Sequence, residues 1–186
     1  MVEQNEKAEA LAKAIDGKVF DDSERVQVSV KTEVLGFPVT VEAIRTHFPF
    51  PTDYYVNIDV LKEGTLDTST MTILITPKVT KGFWNKIGRL LLIDSHLKPI
   101  GDAEFDSFLN MESNDYQAAL RFVRYPMMME RIKELHRQTT FNELHVRAKA
   151  GLKLMQPTPF DSINLDSARE TVRMLGDMAQ VLFDVF

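Results

Sequence analysis

The sequence contains no cysteine, which excludes disulfides, thiol nucleophiles and Cys-ligated zinc together. It fits a reducing compartment without requiring one. Long apolar runs are missing as well: the most apolar stretch, Leu90-Leu91-Leu92-Ile93, is far too short to cross a bilayer. The opening residues Met1-Val2-Glu3-Gln4-Asn5-Glu6-Lys7 are polar and acidic. They offer neither the basic nor the apolar region of a secretory leader, and neither end carries a lipidation motif. Basic charge is in deficit, with 22 Lys and Arg against 27 Asp and Glu and a net charge of -5. A general nucleic-acid binder would need the opposite balance. The eight glycines are scattered, so neither a P-loop nor a dinucleotide fingerprint can be written. The expectation is a soluble, cytoplasmic protein with no cofactor, no nucleic-acid partner and no transmembrane segment.

What is present reads as one ordinary domain. In 186 residues, 44% are apolar and 26% charged, the composition of a globular chain with a real core. Ala8, Leu11, Ala12 and Ile15 follow helical spacing, with Gly17 as the stop. Val26, Val28 and Val30, then Val39, Val41 and Ala43, alternate with polar residues and predict a β-hairpin around Gly36 with a loop longer than two residues. His47-Phe48-Pro49-Phe50-Pro51 breaks the pattern. Strands are expected again at 54–61 and 70–76, which extends an antiparallel meander to Pro77.

The second half mixes helix and strand. Phe83, Trp84, Ile87, Leu90 and Leu91 sit at helical spacing. Asn114 or Asp115 caps a helix through Tyr116, Ala119, Leu120 and Val123, and Pro126 is suited to start another through Met129, Ile132 and Leu135. Leu144, Val146, Ala148 and Ala150 alternate as a strand, with Gly151 turning into 152–155. Ala168, Val172, Leu175, Ala179, Leu182 and Phe186 draw one apolar stripe along a C-terminal helix capped by Asn164 or Asp166. No repeat or linker divides the chain, so residues 1–186 form a single α+β domain. Its expected architecture is an antiparallel sheet of about six to eight strands with helices mainly on one face.

The densest chemistry lies at Gly101-Asp102-Ala103-Glu104-Phe105-Asp106-Ser107-Phe108. If extended, it would put Asp102, Glu104 and Asp106 on one face about 7 Å apart, where like charges face water or share a cation. These three are the candidate metal ligands, with Asp94 and His96 as upstream helpers. The calcium-loop template fails further on, because Ser107 stands at its glycine and Ser113 at its bidentate glutamate. The structural reading is therefore preferred: a solvated turn entering a strand, with Phe105 and Phe108 packed inward.

Nucleophilic catalysis finds less support. Asp94-Ser95-His96 holds triad residue types, but adjacent residues cannot converge as a relay, and no Gly-x-Ser-x-Gly elbow exists. His47, His96, His136 and His145 lack metal-ligand spacing. His136 falls near a helix C-terminus, where a positive imidazole would suit the dipole. Lys78, Lys81, Lys86 and Arg89 interleave with Trp84 as in a membrane-surface or docking helix, and Arg147, Lys149 and Lys153 make a second basic stripe. Snorkelling around a core Trp84 is the preferred reading of the first, so membrane-surface docking is not expected. Met127-Met128-Met129 cannot share one helix face, so two should pack and one should show.

Gly101-Asp102-x-x-Phe105-Asp106, followed by Phe108, Asn114-Asp115, Ala118-Ala119-Leu120 and Tyr125-Pro126-Met127-Met128, resembles a group of uncharacterised bacterial domains with a Gly-Asp-x-x-Phe-Asp turn. The resemblance covers roughly the second half of the chain. It implies a fold and carries no activity. The expected function is a non-enzymatic binding or interaction module with a protein partner or a second copy of itself. A metal-dependent hydrolase using Asp102, Glu104 and Asp106, and a peripheral membrane protein docking through Trp84, are the alternatives.

Overall fold

A computed structural model describes residues 2–20, 26–44, 53–58, 71–78, 99–148, 150–157 and 160–186. His47, Trp84 with its flanking Lys81, Lys86 and Arg89, Asp94, His96 and Lys149 lie outside the described residues.

The chain opens with α1 (Val2–Ala14), whose Ala8, Leu11 and Ala12, with Ile15 just beyond, are buried as the spacing requires. The helix stops one residue earlier than glycine placement predicts. Asp16 takes the left-handed conformation at φ 54° and the Gly17 amide closes back on Ala12 O at 2.7 Å. Thr32 Oγ1 donates to the freed carbonyls of Ile15 and Asp16.

Strands β1 (Lys18–Phe20), β2 (Val26–Val34), β3 (Phe37–Ile44) and β4 (Asp53–Ile58) pair in sequence, each antiparallel to the last. The β2–β3 connection has only two residues, not a longer loop: Leu35 (φ 53°) and Gly36 (φ 83°) both turn left-handed, as a hairpin of this length demands. The short β1, too brief to show alternation, has no counterpart in the sequence reading.

The meander ends at β4. Strand β5 (Thr72–Pro77) pairs with β6 (Leu109–Ser113) on one side and β7 (Glu143–Arg147) on the other, while β8 (Gly151–Gln156) joins β7 to β4. The strand order is β1-β2-β3-β4-β8-β7-β5-β6 and every pairing is antiparallel. The fold is therefore α+β with an antiparallel sheet, as expected. The meander's extension to β5 is corrected, because the β7–β8 hairpin is inserted ahead of it. Strand β7 also stops at Arg147, where Ala148 leaves the ladder.

Just before β6 comes a one-turn helix, α2 (Phe105–Phe108). After β6 come α3 (Tyr116–Val123), α4 (Met128–Gln138) and, after β8, α5 (Leu165–Val185). Asp115 caps α3 by accepting from the Ala118 amide, and Asn164 caps α5 by accepting from two amides. Pro126 does not begin α4. It sits in the turn before it, and Met127 supplies the entry residue.

One core joins these elements. Val30, Val41, Val56, Ile75, Leu144 and Leu154 from the strands are fully buried with Phe122, Ile132, Leu135, Leu175 and Leu182 from the helices. At about 1.5–3 kcal/mol for each fully buried large apolar side chain, this burial is the main force holding the layers together. Among the described residues no helix is long and apolar enough to cross a membrane.

Candidate functional site

The acidic segment is not extended. It is a turn running into α2, and its three carboxylates point to three different tasks. Asp106 turns both oxygens back on the chain, accepting from the Ile100 amide at 3.0 Å and the Gly101 amide at 2.9 Å. Asp102 accepts from the Phe105 amide at 2.7 Å and so serves the first turn of α2. Glu104 reaches to α4, taking Lys133 on one oxygen at 2.9 Å and Arg137 on the other at 2.8 Å.

Lys133 is the centre of this arrangement. Its side chain is 3% exposed, and Nζ lies 3.1 Å from Asp102, 2.9 Å from Glu104 and 3.0 Å from Glu130. An ammonium has three N–H donors, and here each has a carboxylate. Burial by itself would lower the Lys133 pKa. The hydrogen bonds it donates to Glu104, Glu130 and Asp102 outweigh it, and the net shift is upward. The carboxyl of Asp102 is held below its ordinary range by the Phe105 amide and then by Lys133, and that of Glu104 by Lys133 and then by Arg137.

The chemistry follows from this geometry. The cation that the acidic segment calls for is supplied by a lysine of the same chain, which Asp102 and Glu104 share. A lysine locked as its cation is neither a base nor a nucleophile. Among the described residues no three His, Asp or Glu side chains are arranged to hold a metal ion.

Phe105, expected in the core, is completely buried, and Phe108 packs at its margin against the ring of His136, 5.0 Å away and nearly parallel. His136 is also edge-on to Phe141, and its Nδ1 is buried without a hydrogen-bond partner among the described residues. Burial, and then the adjacent Arg137, lower its pKa, so the expected positive imidazole at this helix end is disfavoured.

Next to the acidic turn, a groove of about 400 Å³ runs between Ile100–Asp102 and Arg124–Glu130. Gly101 forms one wall with φ 86°, and a Cβ there would lie 3.2 Å from the Arg124 guanidinium, which donates to Ile100 O. The other wall is Tyr125-Pro126-Met127. Met127 has φ 68° and is 69% exposed, while the next residue, Met128, is 1% exposed. Met129 is half-buried, so two methionines pack and one shows. A left-handed backbone costs a bulky residue about 1–2 kcal/mol. Here it joins α3 to α4, with Met128 N bonded to Tyr125 O and Arg131 N to Met127 O.

A second groove of about 410 Å³ lies over β5, β6 and β7, lined by Thr72, Glu112, Ser113, Asn114, His145 and Arg147 among others. His145 is 2.7 Å from Glu143 in the same strand. Its ladder partner in β8 is Lys153, whereas Arg147 pairs with Gly151. Arg147 and Lys153 therefore lie on one face of the hairpin, as diagonal neighbours.

No family model, curated protein or solved structure matches the chain.

The sequence reading missed Lys133. Its signal was available in Glu130-x-x-Lys133-x-x-x-Arg137, which sets an acid and two bases on one helix face. Nothing in that spacing says which acids lie opposite.

Proposed function

We propose that this chain is a non-enzymatic interaction module of the bacterial cytosol, and that its partner is a protein segment held in the groove between Gly101–Asp102 and Arg124–Glu130. One observation carries the reading. Met127 is the most exposed large apolar side chain among the described residues, and it is held out by a strained backbone at the groove's edge. The turn needs a left-handed residue but not a bulky one, and a bulky residue kept in such a conformation is characteristic of functional positions.

The occupant's chemistry follows from the walls. Tyr125, Pro126, Met127 and Met129 suit an apolar side chain, and methionine adapts to partners of varied shape. Asp102 and Glu130 line the same groove. Glu130 gives one oxygen to Lys133 and stays 66% exposed, and the chain is acidic overall. A segment with an apolar anchor beside Lys or Arg complements that surface. The resemblance to uncharacterised domains belongs to this reading too, because Gly101-Asp102 and Tyr125-Pro126-Met127 line one groove. Its scaffold is a sheet of the six to eight strands expected, with helices mainly on one face.

Amide chemical shifts of the full chain, titrated with a short peptide of leucines flanked by lysines, test this. Shifts should cluster at residues 100–102 and 124–130 and should fail with the glutamate-flanked peptide. Equal response to both peptides, or none near the groove, would refute the reading.

A further inference from the structure

We infer that Met127 is an oxidation site, whose thioether takes one oxygen atom from a peroxide before any other methionine among the described residues does. With no cysteine in the chain, thioethers are its only sulfur chemistry. Of the described methionines, Met71, Met111, Met128, Met174 and Met178 are buried at 3% exposure or less. Met129 and Met155 are half-buried. Met127 is 69% exposed. Susceptibility to oxidants follows access to sulfur, so the ranking is set by the fold.

The backbone keeps it that way. The left-handed conformation turns residue 127 outward while Met128 enters the core, and the bonds Met128 N to Tyr125 O and Arg131 N to Met127 O fix that alternation. Burying Met127 would mean breaking the turn that starts α4.

In the reaction, a lone pair on Sδ attacks one oxygen of the peroxide and the O–O bond breaks. The departing oxygen takes up the proton given up by the transferred oxygen and leaves as water or an alcohol. Sulfur is oxidised by two electrons and the peroxide is reduced by two. The product is a polar sulfoxide and a good hydrogen-bond acceptor. It arises in a groove that Arg124 also lines, so the wall's most exposed apolar group becomes a hydrogen-bond acceptor there.

Graded hydrogen peroxide treatment of the full chain, followed by tryptic mass mapping, is the test. The peptide 125–131 carries Met127, Met128 and Met129, and its fragment ions separate them. Sulfoxide at Met127 should form several-fold faster than at Met129 or Met155, in line with its access. The singly oxidised protein should keep its thermal midpoint, and the two epimer-specific methionine sulfoxide reductases together should restore the thioether. In Met127→Leu that first product should vanish while the remaining rates stay unchanged. Oxidation of Met129 or Met155 at an equal or greater rate would overturn the proposal, as would a first oxygen that lowers the midpoint.

Discussion

The acidic turn and the groove beside it share Asp102 yet are built on opposite terms. In the turn, charge is dense and satisfied: Asp102, Glu104 and Glu130 surround Lys133, and Asp106 closes on two amides. In the groove, Asp102, Arg124 and Glu130 stand among apolar walls, and an exposed methionine rests on a strained backbone. Charged residues draw attention in a sequence, but a group with all its partners has little chemistry left to offer. The less conspicuous wall of Tyr125, Pro126 and Met127 keeps surface free for a partner. If this contrast holds, changes in the turn should cost stability and changes at Met127 should not.

The largest effect belongs to Phe105. Replacing it with alanine removes a fully buried ring beneath the acidic turn and should destabilise the fold by about 3–5 kcal/mol in urea unfolding. A cost below 1 kcal/mol would mean that the turn is only draped over the core.

Lys133→Met comes next and tests whether the carboxylates need their internal cation. The urea midpoint should fall at neutral pH, by less than for Phe105→Ala, because the carboxylates left behind remain open to water. The pH dependence carries the sharper signature. Asp102 and Glu104 have carboxyl groups depressed in the folded state, so the stability they contribute is complete above their ordinary values of 3.8 and 4.5. It is lost as pH falls through the depressed folded values. His136 is also depressed, and its effect starts earlier. As pH falls below 6.5 the unfolded chain takes the proton first, and stability declines until the folded ring is protonated too. Lys133→Met should flatten the acid limb, mainly through Glu104, because Asp102 keeps the Phe105 amide. The His136 step should persist. An unchanged acid limb would show that the lysine does not hold these carboxylates.

The smallest effect has the opposite sign. Met127→Gly relieves the left-handed strain of about 1–2 kcal/mol against a glycine entropy cost of roughly 0.5–1 kcal/mol. Stability should therefore stay level or rise slightly, while binding of the lysine-flanked peptide weakens. A clear loss of stability would return Met127 to the core side of the comparison.

Local periodicity made much of this fold legible. The α5 stripe from Ala168 to Leu182 and the burial of Phe105 follow from spacing that needs no knowledge of distant residues. Lys133 was not legible in the same way, because its meaning depends on Asp102 and Glu104 about thirty positions earlier and brought near only by α2 and α4. The tight β2–β3 turn was hidden by its chemistry. A two-residue loop favours Asn or Gly at its first position, and Leu35 stands there at φ 53°. Tertiary pairing overrode that local preference. The same kind of non-local information decides that β5 lies beside β7 and not β4.

That strand order has a consequence for how the chain is made. Strand β4 is complete at residue 58, yet its second neighbour, β8, begins only at residue 151. A chain emerging from the ribosome therefore carries an open strand edge for more than ninety residues of synthesis, at about 5–20 residues per second. An open edge is a template for pairing with other chains, and long-range closure of this kind is slow. The β7–β8 hairpin is thus the last piece of the sheet to arrive and the one that joins its two halves. Truncation or slippage in residues 143–156 would leave two separate β units with mating edges exposed.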